Sequence, residues 1–356
     1  GRLHAAPVLL PMQSRTLAVL AFAHLCDTTS VGVSRAVLPG LSASAAEHVR
    51  TVPNFFEGAD ELRATFDEYF ADPRQAHPMR FVWDYWHVPD QYTLHRTQAA
   101  DYFEPASFEA LTAALTTYGQ QELGCRDISP PWLSYYVDGC EQLLHADVPQ
   151  GPFAYVLSLT LWDERRFTGG HTQILQPWVL DYWRDFDSST GLERSDLMLD
   201  VPANFNQLTV FDARLPHGVR CVEGVREPRE ARLVIHGWFC SPEPHFEGAL
   251  TEEQATAGLG PRLSAIAEAL APPRVTGLLA LRIDVATDGA VTSVSKLADT
   301  LVADPSALFD RRGDAPPLDA PAARRAVFET IESNLCAATF PVCNGTSTIT
   351  IPFSFD

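Results

Sequence analysis

Residues 132–240 form a succession of short apolar segments, and this texture limits the region to a fold built from many short strands. The clearest segments are YVLSLTL at 155–161, NQLTVF at 206–211 and RLVIHGWF at 232–239. Gly169 and Gly170 lie between them and mark a turn or a close approach of two backbones. Many short strands with few intervening helices are typical of a β-sandwich or jelly roll.

The flanking regions contain helical patterns and divide the chain into two predicted domains. Apolar residues recur at helical spacing over 54–70 and 101–121, so we expect these helices to support the sheet. After SPEP at 241–244 the texture changes to a compact α+β unit. Its predicted elements are a helix at 263–270, strands at 279–285 and 291–296, a loop at 303–321, a helix at 322–335 and a strand at 346–355. The predicted domains are 1–248, with a core at about 80–240, and 249–356. The expected fold class is mainly β with helices, plus this small C-terminal α+β domain.

The composition limits the partners of the chain. It has 26 Lys and Arg against 45 Asp and Glu, a formal net charge of −19, so nucleic acid and anionic membranes are poor partners. No run approaches the roughly 18 apolar residues that a membrane span needs. The nearest run, at 16–25, is interpreted as a buried strand or helix, with a secretory signal as the alternative. Seven cysteines without a C-x-x-C pair favour free thiols in a reducing compartment, so we expect the cytoplasm, with the periplasm as the alternative.

His145 and Asp147 form an H-x-D triplet in LLHADVPQG that is suited to metal binding. On a strand, residues i and i+2 face the same side, so both side chains can point at one atom. His217, just after a predicted strand, is the candidate third ligand. Two histidines and one carboxylate leave three positions open on a metal, as in non-haem Fe(II) oxygenases. Zn²⁺ is the rival metal, but its catalytic sites more often use three histidines or two histidines and a glutamate.

Arg232 begins an apolar segment where a lone cation is costly to bury. A carboxylate would satisfy it through two parallel hydrogen bonds, and the far carboxylate of a dicarboxylate cosubstrate is the predicted partner. Because side chains alternate along a strand, His236 and Trp238 share its face and are expected to line a substrate pocket.

The order of these segments resembles the iron(II)- and 2-oxoglutarate-dependent dioxygenases, in particular their prolyl-hydroxylase-like branch. The matching segments, over about 130–240, are SYYVDG, LLHADVPQG, AYVLSLTLW, the Gly-Gly turn, NQLTVFDARLPHGV and RLVIHGWF. The resemblance implies a double-stranded β-helix (jelly roll) in which His145, Asp147 and His217 bind iron. It also implies that Arg232 binds the 5-carboxylate of 2-oxoglutarate and that Tyr136 lies near this cosubstrate. Ser158 stands where members often have a second tyrosine and is expected to donate a shorter hydrogen bond.

The same resemblance implies a reaction and its cofactors. Fe(II), 2-oxoglutarate and O₂, with ascorbate as an optional addition, would hydroxylate an unactivated C–H bond and release succinate and CO₂. The implied substrate is a peptide, protein or free amino acid, with proline first. The alternative function is a non-catalytic jelly-roll binding or scaffold protein that acts through its C-terminal module.

The C-terminal unit carries a second resemblance. VTGLLALRIDVATDGAV, FETIESNL and TITIPFSF are similar to the TonB-like C-terminal domain of the AgmX/PglI type, over about 250–356. No histidine follows His245, so nothing in this unit has catalytic spacing. The resemblance implies a binding or scaffolding module that could take a protein partner.

Overall fold

The computed structural model describes residues 48–177, 179, 191, 193–303 and 320–355. The apolar run at 16–25 and most of the predicted loop at 303–321 lie outside the described residues. The described strands are β1 (Val49–Val52), β2 (Asp84–Val88), β3 (Tyr92–Gln98), β4 (Cys125–Ile128), β5 (Trp132–Tyr136), β6 (Glu141–His145), β7 (Phe153–Ser158), β8 (Thr172–Leu175), β9 (Met198–Val201), β10 (Leu208–Asp212), β11 (His217–Val219), β12 (Arg232–Pro242), β13 (His245–Gly248), β14 (Val275–Val285), β15 (Val291–Asp299), β16 (Val302–Ala303) and β17 (Ser347–Phe355). The described helices are α1 (Ala59–Tyr69), α2 (Ala99–Tyr102), α3 (Pro105–Tyr118), α4 (Arg194–Leu197), α5 (Glu252–Ala269) and α6 (Ala320–Cys336). Within the described part of the chain, no helix has the length and apolar character to cross a membrane.

Twelve strands form one antiparallel sheet that curls into a half-barrel. Their order is β1-β10-β7-β12-β5-β3-β6-β11-β8-β9, with β2 beside β3 and β4 beside β12. This arrangement confirms the predicted jelly-roll core with supporting helices. β7 lies between β10 and β12, and five of its six residues are buried. Its nearly continuous apolar sequence follows from this position, because both faces of the strand are covered.

Alternation along the central strands gives the sheet two different faces. On β5, β7 and β12, Leu133, Leu157 and Ile235 point to the face where they join the main core with residues of α1 and α3. Their neighbours Val156 and His236 point to the other face and line a cavity. The helices therefore support the sheet from outside, as predicted, and the cavity lies inside the curl.

Both supporting helices are shorter than the apolar patterns predict. α1 begins at Ala59, after a turn in which Asn54 adopts a φ of 51°. α3 begins at Pro105, which suits the first turn because its nitrogen has no hydrogen to leave unpaired. It ends at Tyr118, where a single π-helical turn, Gly119–Leu123, completes the segment.

The C-terminal unit is a five-stranded sheet in the order β13-β17-β14-β15, with β16 beside β14, and it is covered by α5 and α6. This confirms the predicted α+β class. α5 is longer than predicted because the Thr251 hydroxyl and the Gln254 side chain each accept a hydrogen bond from the other residue's backbone N–H. β13, which a boundary at 248 assigns to the first domain, pairs with β17 and is part of this sheet.

The two units share one apolar core. Leu278, Ala280, Leu297 and Ala298 of the C-terminal sheet belong to the same buried cluster as Phe239 of β12. Polar contacts cross the same boundary: Arg50 Nη2 donates to the Leu297 carbonyl at 3.1 Å, and Arg282 Nη2 to the Gln121 carbonyl at 3.1 Å. The two units therefore pack against each other through a common core. The division of the chain into two domains stays a prediction.

Deletion of the chain after Pro244 is therefore expected to destabilise the jelly roll, because it uncovers the shared core. Burial of Leu278 and Leu297 contributes about 3–6 kcal/mol to the free energy of unfolding. This is a large part of the roughly 5–15 kcal/mol that stabilises a typical domain. We expect aggregation or a clearly lower melting temperature than that of the full chain. Leu278→Ala in the full chain should lower the melting temperature, whereas Val342→Ala, at a side chain 78 % exposed, should not. A truncated protein that melts as cooperatively as the full chain would contradict this expectation.

Candidate metal and cosubstrate site

The three predicted metal ligands meet at one end of the cavity. His145 is the last residue of β6 and His217 the first of β11, and these two residues face each other in the β6–β11 ladder. One ligand atom from each of His145, Asp147 and His217 lies within 4.8 Å of the others. The expectation that Asp147 continues the strand is wrong, because β6 ends at His145. Asp147 reaches the site from the following turn, where its N–H donates to the Ala213 carbonyl at 2.9 Å.

Local hydrogen bonds fix the same nitrogen of both histidines toward the site. Nδ1 of His145 lies 2.9 Å from the Leu143 carbonyl, and Nδ1 of His217 lies 2.9 Å from the Leu215 carbonyl. A carbonyl can only accept, so each Nδ1 carries the proton and each Nε2 of a neutral ring has a free lone pair. The Nε2 atoms of His145 and His217 lie 3.8 Å and 3.1 Å from Asp147 carboxylate oxygens.

The donor set fits a divalent cation. Burial would raise the pKa of Asp147, but contacts with His217, Trp238 and His145 outweigh it, so its pKa is lowered and the carboxylate is ionised at neutral pH. Trp238 Nε1 donates to Asp147 Oδ2 at 3.0 Å and orients it. Two imidazole lone pairs and one carboxylate converge on a common point, and a metal ion is the partner that satisfies all three.

Arg232 lies on the inner face of the sheet, and its charge has no counter-ion among the described residues. The side chain is 1 % exposed, and its guanidinium lies 4.6 Å from the centre of the Tyr136 ring. Nη2 donates to Thr172 Oγ1 at 3.1 Å, whereas Nε and Nη1 are buried without a hydrogen-bond partner. A buried cation with two unused donor groups is costly, so this end of the cavity fits a carboxylate ligand.

The two glycines at 169 and 170 make room for this end of the site. Gly169 has a φ of 76°, and a Cβ there would lie 1.7 Å from the Cys221 carbonyl oxygen. Gly170 has a φ of 71°, and its Cβ would lie 2.7 Å from the Phe167 ring and 3.5 Å from Arg232 Cδ. Both the left-handed backbone and the close approach require glycine, as the Gly-Gly sequence predicts.

A cavity of about 380 Å³ contains the triad and Arg232, and this volume suits a small ligand. Tyr136, His236 and Trp238, which the sequence places near the site, also line it. The Tyr136 hydroxyl donates to Gln142 Oε1 at 3.1 Å. Burial lowers the pKa of His236 to about 4, so the ring is neutral, and its Nε2 lies 2.9 Å from Ser134 Oγ.

Ser158 is the predicted site residue that the structure does not bring into this cavity. Its hydroxyl donates to the Ala203 carbonyl at 2.7 Å and accepts from the Thr160 N–H at 3.1 Å, so its hydrogen-bonding capacity is used within the fold. The position on β7 that faces the cavity beside His236 is Val156. A valine supplies no hydrogen bond, so a second hydroxyl does not come from this strand position.

Sequence reasoning missed three roles. Thr172, on β8, is the residue that accepts from Arg232, and no motif marks it. Trp238 lines the cavity as expected, and it also donates a hydrogen bond to Asp147, which the sequence does not indicate. Arg96 lines the same cavity from β3, where it lies between two tryptophans that belong to other strands.

Trp238→Phe is expected to weaken metal binding without removing it. The variant keeps the ring in the wall of the cavity but loses the N–H that orients Asp147. Loss of such a supporting hydrogen bond typically costs about 10- to 100-fold in metal affinity. Titration of the apoprotein with Mn(II) measures this change, and Trp83→Phe, in the aromatic cluster outside the cavity, is the control. Equal affinities of Trp238→Phe and the unsubstituted protein would assign Trp238 a packing role only.

No family model and no curated protein matches the chain. Several solved structures share parts of its architecture at low sequence identity. A prolyl-4-hydroxylase from Pseudomonas putida is 17% identical with a TM-score of 0.38, covering 54% of this chain and 92% of that chain. The carbocyclase SnoK from nogalamycin biosynthesis is 13% identical with a TM-score of 0.38, covering 60% and 90%. HygX from Streptomyces hygroscopicus, determined with nickel and 2-oxoglutarate bound, is 12% identical with a TM-score of 0.35, covering 57% and 86%. At these identities the likeness concerns the architecture alone.

Proposed function

We propose that this protein is an Fe(II)- and 2-oxoglutarate-dependent dioxygenase that hydroxylates an unactivated C–H bond. The observation that carries the proposal is the presence, in one cavity, of a His-Asp-His donor set and a buried arginine that has no counter-ion among the described residues. Both features are required by this reaction, because the donor set would hold a metal with three open positions and the arginine would hold a dicarboxylate. A metal site alone would leave the buried charge of Arg232 unexplained.

The residues of this chain have defined tasks in the proposed reaction. His145, Asp147 and His217 would hold Fe(II), and Arg232 and Thr172 would hold the 5-carboxylate of 2-oxoglutarate beside Tyr136. When bound, Fe(II) and 2-oxoglutarate supply the oxidising chemistry. O₂ is consumed, 2-oxoglutarate loses CO₂ to give succinate with one of the two oxygen atoms, and the other oxygen atom is transferred to the C–H bond of the substrate.

The cavity walls are suited to keeping that chemistry away from water. Leu94, Val156 and Val234 line the cavity and are apolar, and Leu94 and Val234 are almost fully buried. Another part of the lining is more open, since Leu143 and Leu144 also line the cavity and are 46 % and 51 % exposed. We place the entry of the primary substrate there, and we retain a peptide or free amino acid, such as proline, as its class.

The test is an anaerobic titration of the apoprotein with Fe(II) and 2-oxoglutarate, followed by admission of O₂ and measurement of succinate. We expect one Fe(II) per chain and slow succinate release that a true substrate accelerates. Incubation with peptides and amino acids, read by mass spectrometry, should then give a product heavier by about 16 Da, one oxygen atom. Absence of succinate from iron-loaded protein would favour the non-catalytic scaffold. Stoichiometric Zn²⁺ binding with no Fe(II) binding would favour a hydrolytic metal site.

We also propose that the C-terminal unit combines a supporting role with its implied role in binding a protein partner. Arg214, three residues before His217, donates to the Thr300 carbonyl and to Asp212 Oδ2, the latter at 2.7 Å. The turn that leads into His217 and β11 is therefore tied to the C-terminal unit. The TonB-like resemblance and the cytoplasmic location stay predictions, and a pull-down of partners by the full chain tests the first of them.

A further inference from the structure

Arg96 is a second arginine on the wall of the cavity, and it is held between two indole rings. Its guanidinium carbon lies 3.6 Å from the centre of the Trp86 ring and 4.1 Å from that of the Trp132 ring. The register explains this arrangement. Arg96 lies opposite Asp84 on β2 and Ser134 on β5, so Trp86 and Trp132 are its diagonal neighbours on the same face of the sheet.

The guanidinium of Arg96 feels the charges of Asp84, Tyr92 and Tyr136, but no described residue accepts a hydrogen bond from it. The side chain also makes no ion pair with any described residue, and Nε is buried without an acceptor. Asp84 lies directly opposite in the ladder and its charge acts on Arg96, but it is exposed and does not come within ion-pair distance of the guanidinium. Because both faces of the planar guanidinium are covered by rings, a ligand can reach only its N–H edge. That edge offers parallel donors in one plane, the geometry that a carboxylate accepts.

Arg96 is distinct from the arginine assigned to the cosubstrate. Arg232 lies on β12, is almost fully buried and touches Tyr136 and Thr172. Arg96 lies two strands away on β3 and is half-buried. The chain as a whole carries a formal charge of −19, which disfavours anions in general. A second cation in the cavity wall, without an ion pair or hydrogen bond to any residue that the structure describes, therefore marks a local site for one anionic group.

We propose that Arg96 binds a carboxylate of the primary substrate, so that the substrate is a small carboxylic acid such as a free or N-acylated amino acid. The inference rests on the proposed function, because it assumes that Arg232 holds 2-oxoglutarate. It deepens that function by choosing between two substrate classes: an internal segment of a polypeptide has no carboxylate at its backbone, whereas a free amino acid does.

The experiment measures whether binding depends on that carboxylate. Protein loaded with Mn(II) and saturating 2-oxoglutarate is titrated with N-acetyl amino acids and, separately, with their primary amides, and tryptophan fluorescence reports binding. N-acetylproline and N-acetylleucine give the first two pairs. The same titrations use Arg96→Gln, Arg96→Lys and the control Arg165→Gln. Arg165 also stacks on an indole, 3.9 Å from the centre of the Trp162 ring, but it lies outside the cavity.

We expect at least one acid to bind about 10- to 100-fold more tightly than its amide, the worth of a hydrogen bond to a charged group. Arg96→Gln should abolish this preference, Arg96→Lys should keep part of it and Arg165→Gln should keep all of it. The affinity for 2-oxoglutarate should be the same in all four proteins. Absence of a preference for any acid, or a preference that survives in Arg96→Gln, would overturn the inference.

A parallel titration with 2-oxoglutarate separates this inference from the proposed function. Failure of the unsubstituted protein to bind 2-oxoglutarate would refute the proposed function itself. Normal binding of 2-oxoglutarate without any preference for acids would refute only the role of Arg96. A loss of 2-oxoglutarate affinity in Arg96→Gln as large as that in Arg232→Ala would place Arg96 in the cosubstrate site instead, which also overturns the inference.

Discussion

His217→Ala is expected to abolish metal binding and succinate release while the chain stays folded. The variant removes one of three converging donors. Removal of a residue that only hydrogen-bonds to a metal ligand already lowers metal affinity by about 10- to 100-fold. Removal of the ligand itself should therefore lower it by more than about 100-fold. His145→Ala should behave in the same way, because its Nε2 is held toward the site by an equivalent hydrogen bond to a carbonyl two residues before it. Metal analysis after dialysis and the succinate assay measure both effects.

The fold should survive because the metal ligands contribute little to the apoprotein. His217 packs edge-on against Phe211 with ring centres 4.6 Å apart, a contact worth about 0.5–1.5 kcal/mol. In the unsubstituted protein, Fe(II) at 100 times its Kd should add about 2.7 kcal/mol to the free energy of unfolding. His217→Ala should lose this metal-dependent stabilisation, and the control His245→Ala, in the C-terminal sheet, should retain it. Stoichiometric iron and full turnover in either triad variant would refute the triad.

The inner face of β12 could be predicted from the sequence because it depends only on alternation. Once Arg232 is placed inward, His236 and Trp238 must follow, and all three line the cavity. The same reasoning failed for Asp147, since alternation assumes that the strand continues and β6 ends two residues earlier. A hydrogen bond from its backbone to Ala213, far away in sequence, decides its position.

Roles that need several strands at once could not be predicted. Arg96 becomes a candidate only when β2 and β5 bring Trp86 and Trp132 to its two faces, and the sequence does not specify that pairing. Ser158 was expected in the cavity by analogy, but its position beside the Ala203 carbonyl gives its hydroxyl a partner within the fold. The composition shift at 241–244 marks a change of sheet, yet it carries no information about the core that the two units share.

Arg232→Ala is expected to reduce the affinity for 2-oxoglutarate by about 30- to 4,000-fold, with metal affinity almost unchanged. The change removes a charge-assisted pair from a site that water does not reach, a loss worth about 2–5 kcal/mol. Arg232→Lys keeps the charge but not the paired donors, so its affinity should lie between the two. Titration of Mn(II)-loaded protein with 2-oxoglutarate gives the three affinities.

A thermal melt of the apoproteins separates cosubstrate binding from a structural role for Arg232. If Arg232 were half of an ion pair in the fold, its removal would leave a buried carboxylate uncompensated and cost about 3–5 kcal/mol. The described residues contain no such carboxylate, and two of the three guanidinium nitrogens lack partners, so truncation also removes an unpaired buried charge. Arg63→Ala is the matched control, because Arg63 is also buried, at 5 % exposed, but donates to Asp67 at 2.8 Å and to the Leu159 carbonyl at 3.0 Å. We expect Arg63→Ala to lower the melting temperature and leave the affinity for 2-oxoglutarate unchanged. We expect Arg232→Ala to lower the affinity for 2-oxoglutarate without lowering the melting temperature. Unchanged affinity in well-folded Arg232→Ala would move the carboxylate site elsewhere and remove the main support for the dioxygenase function.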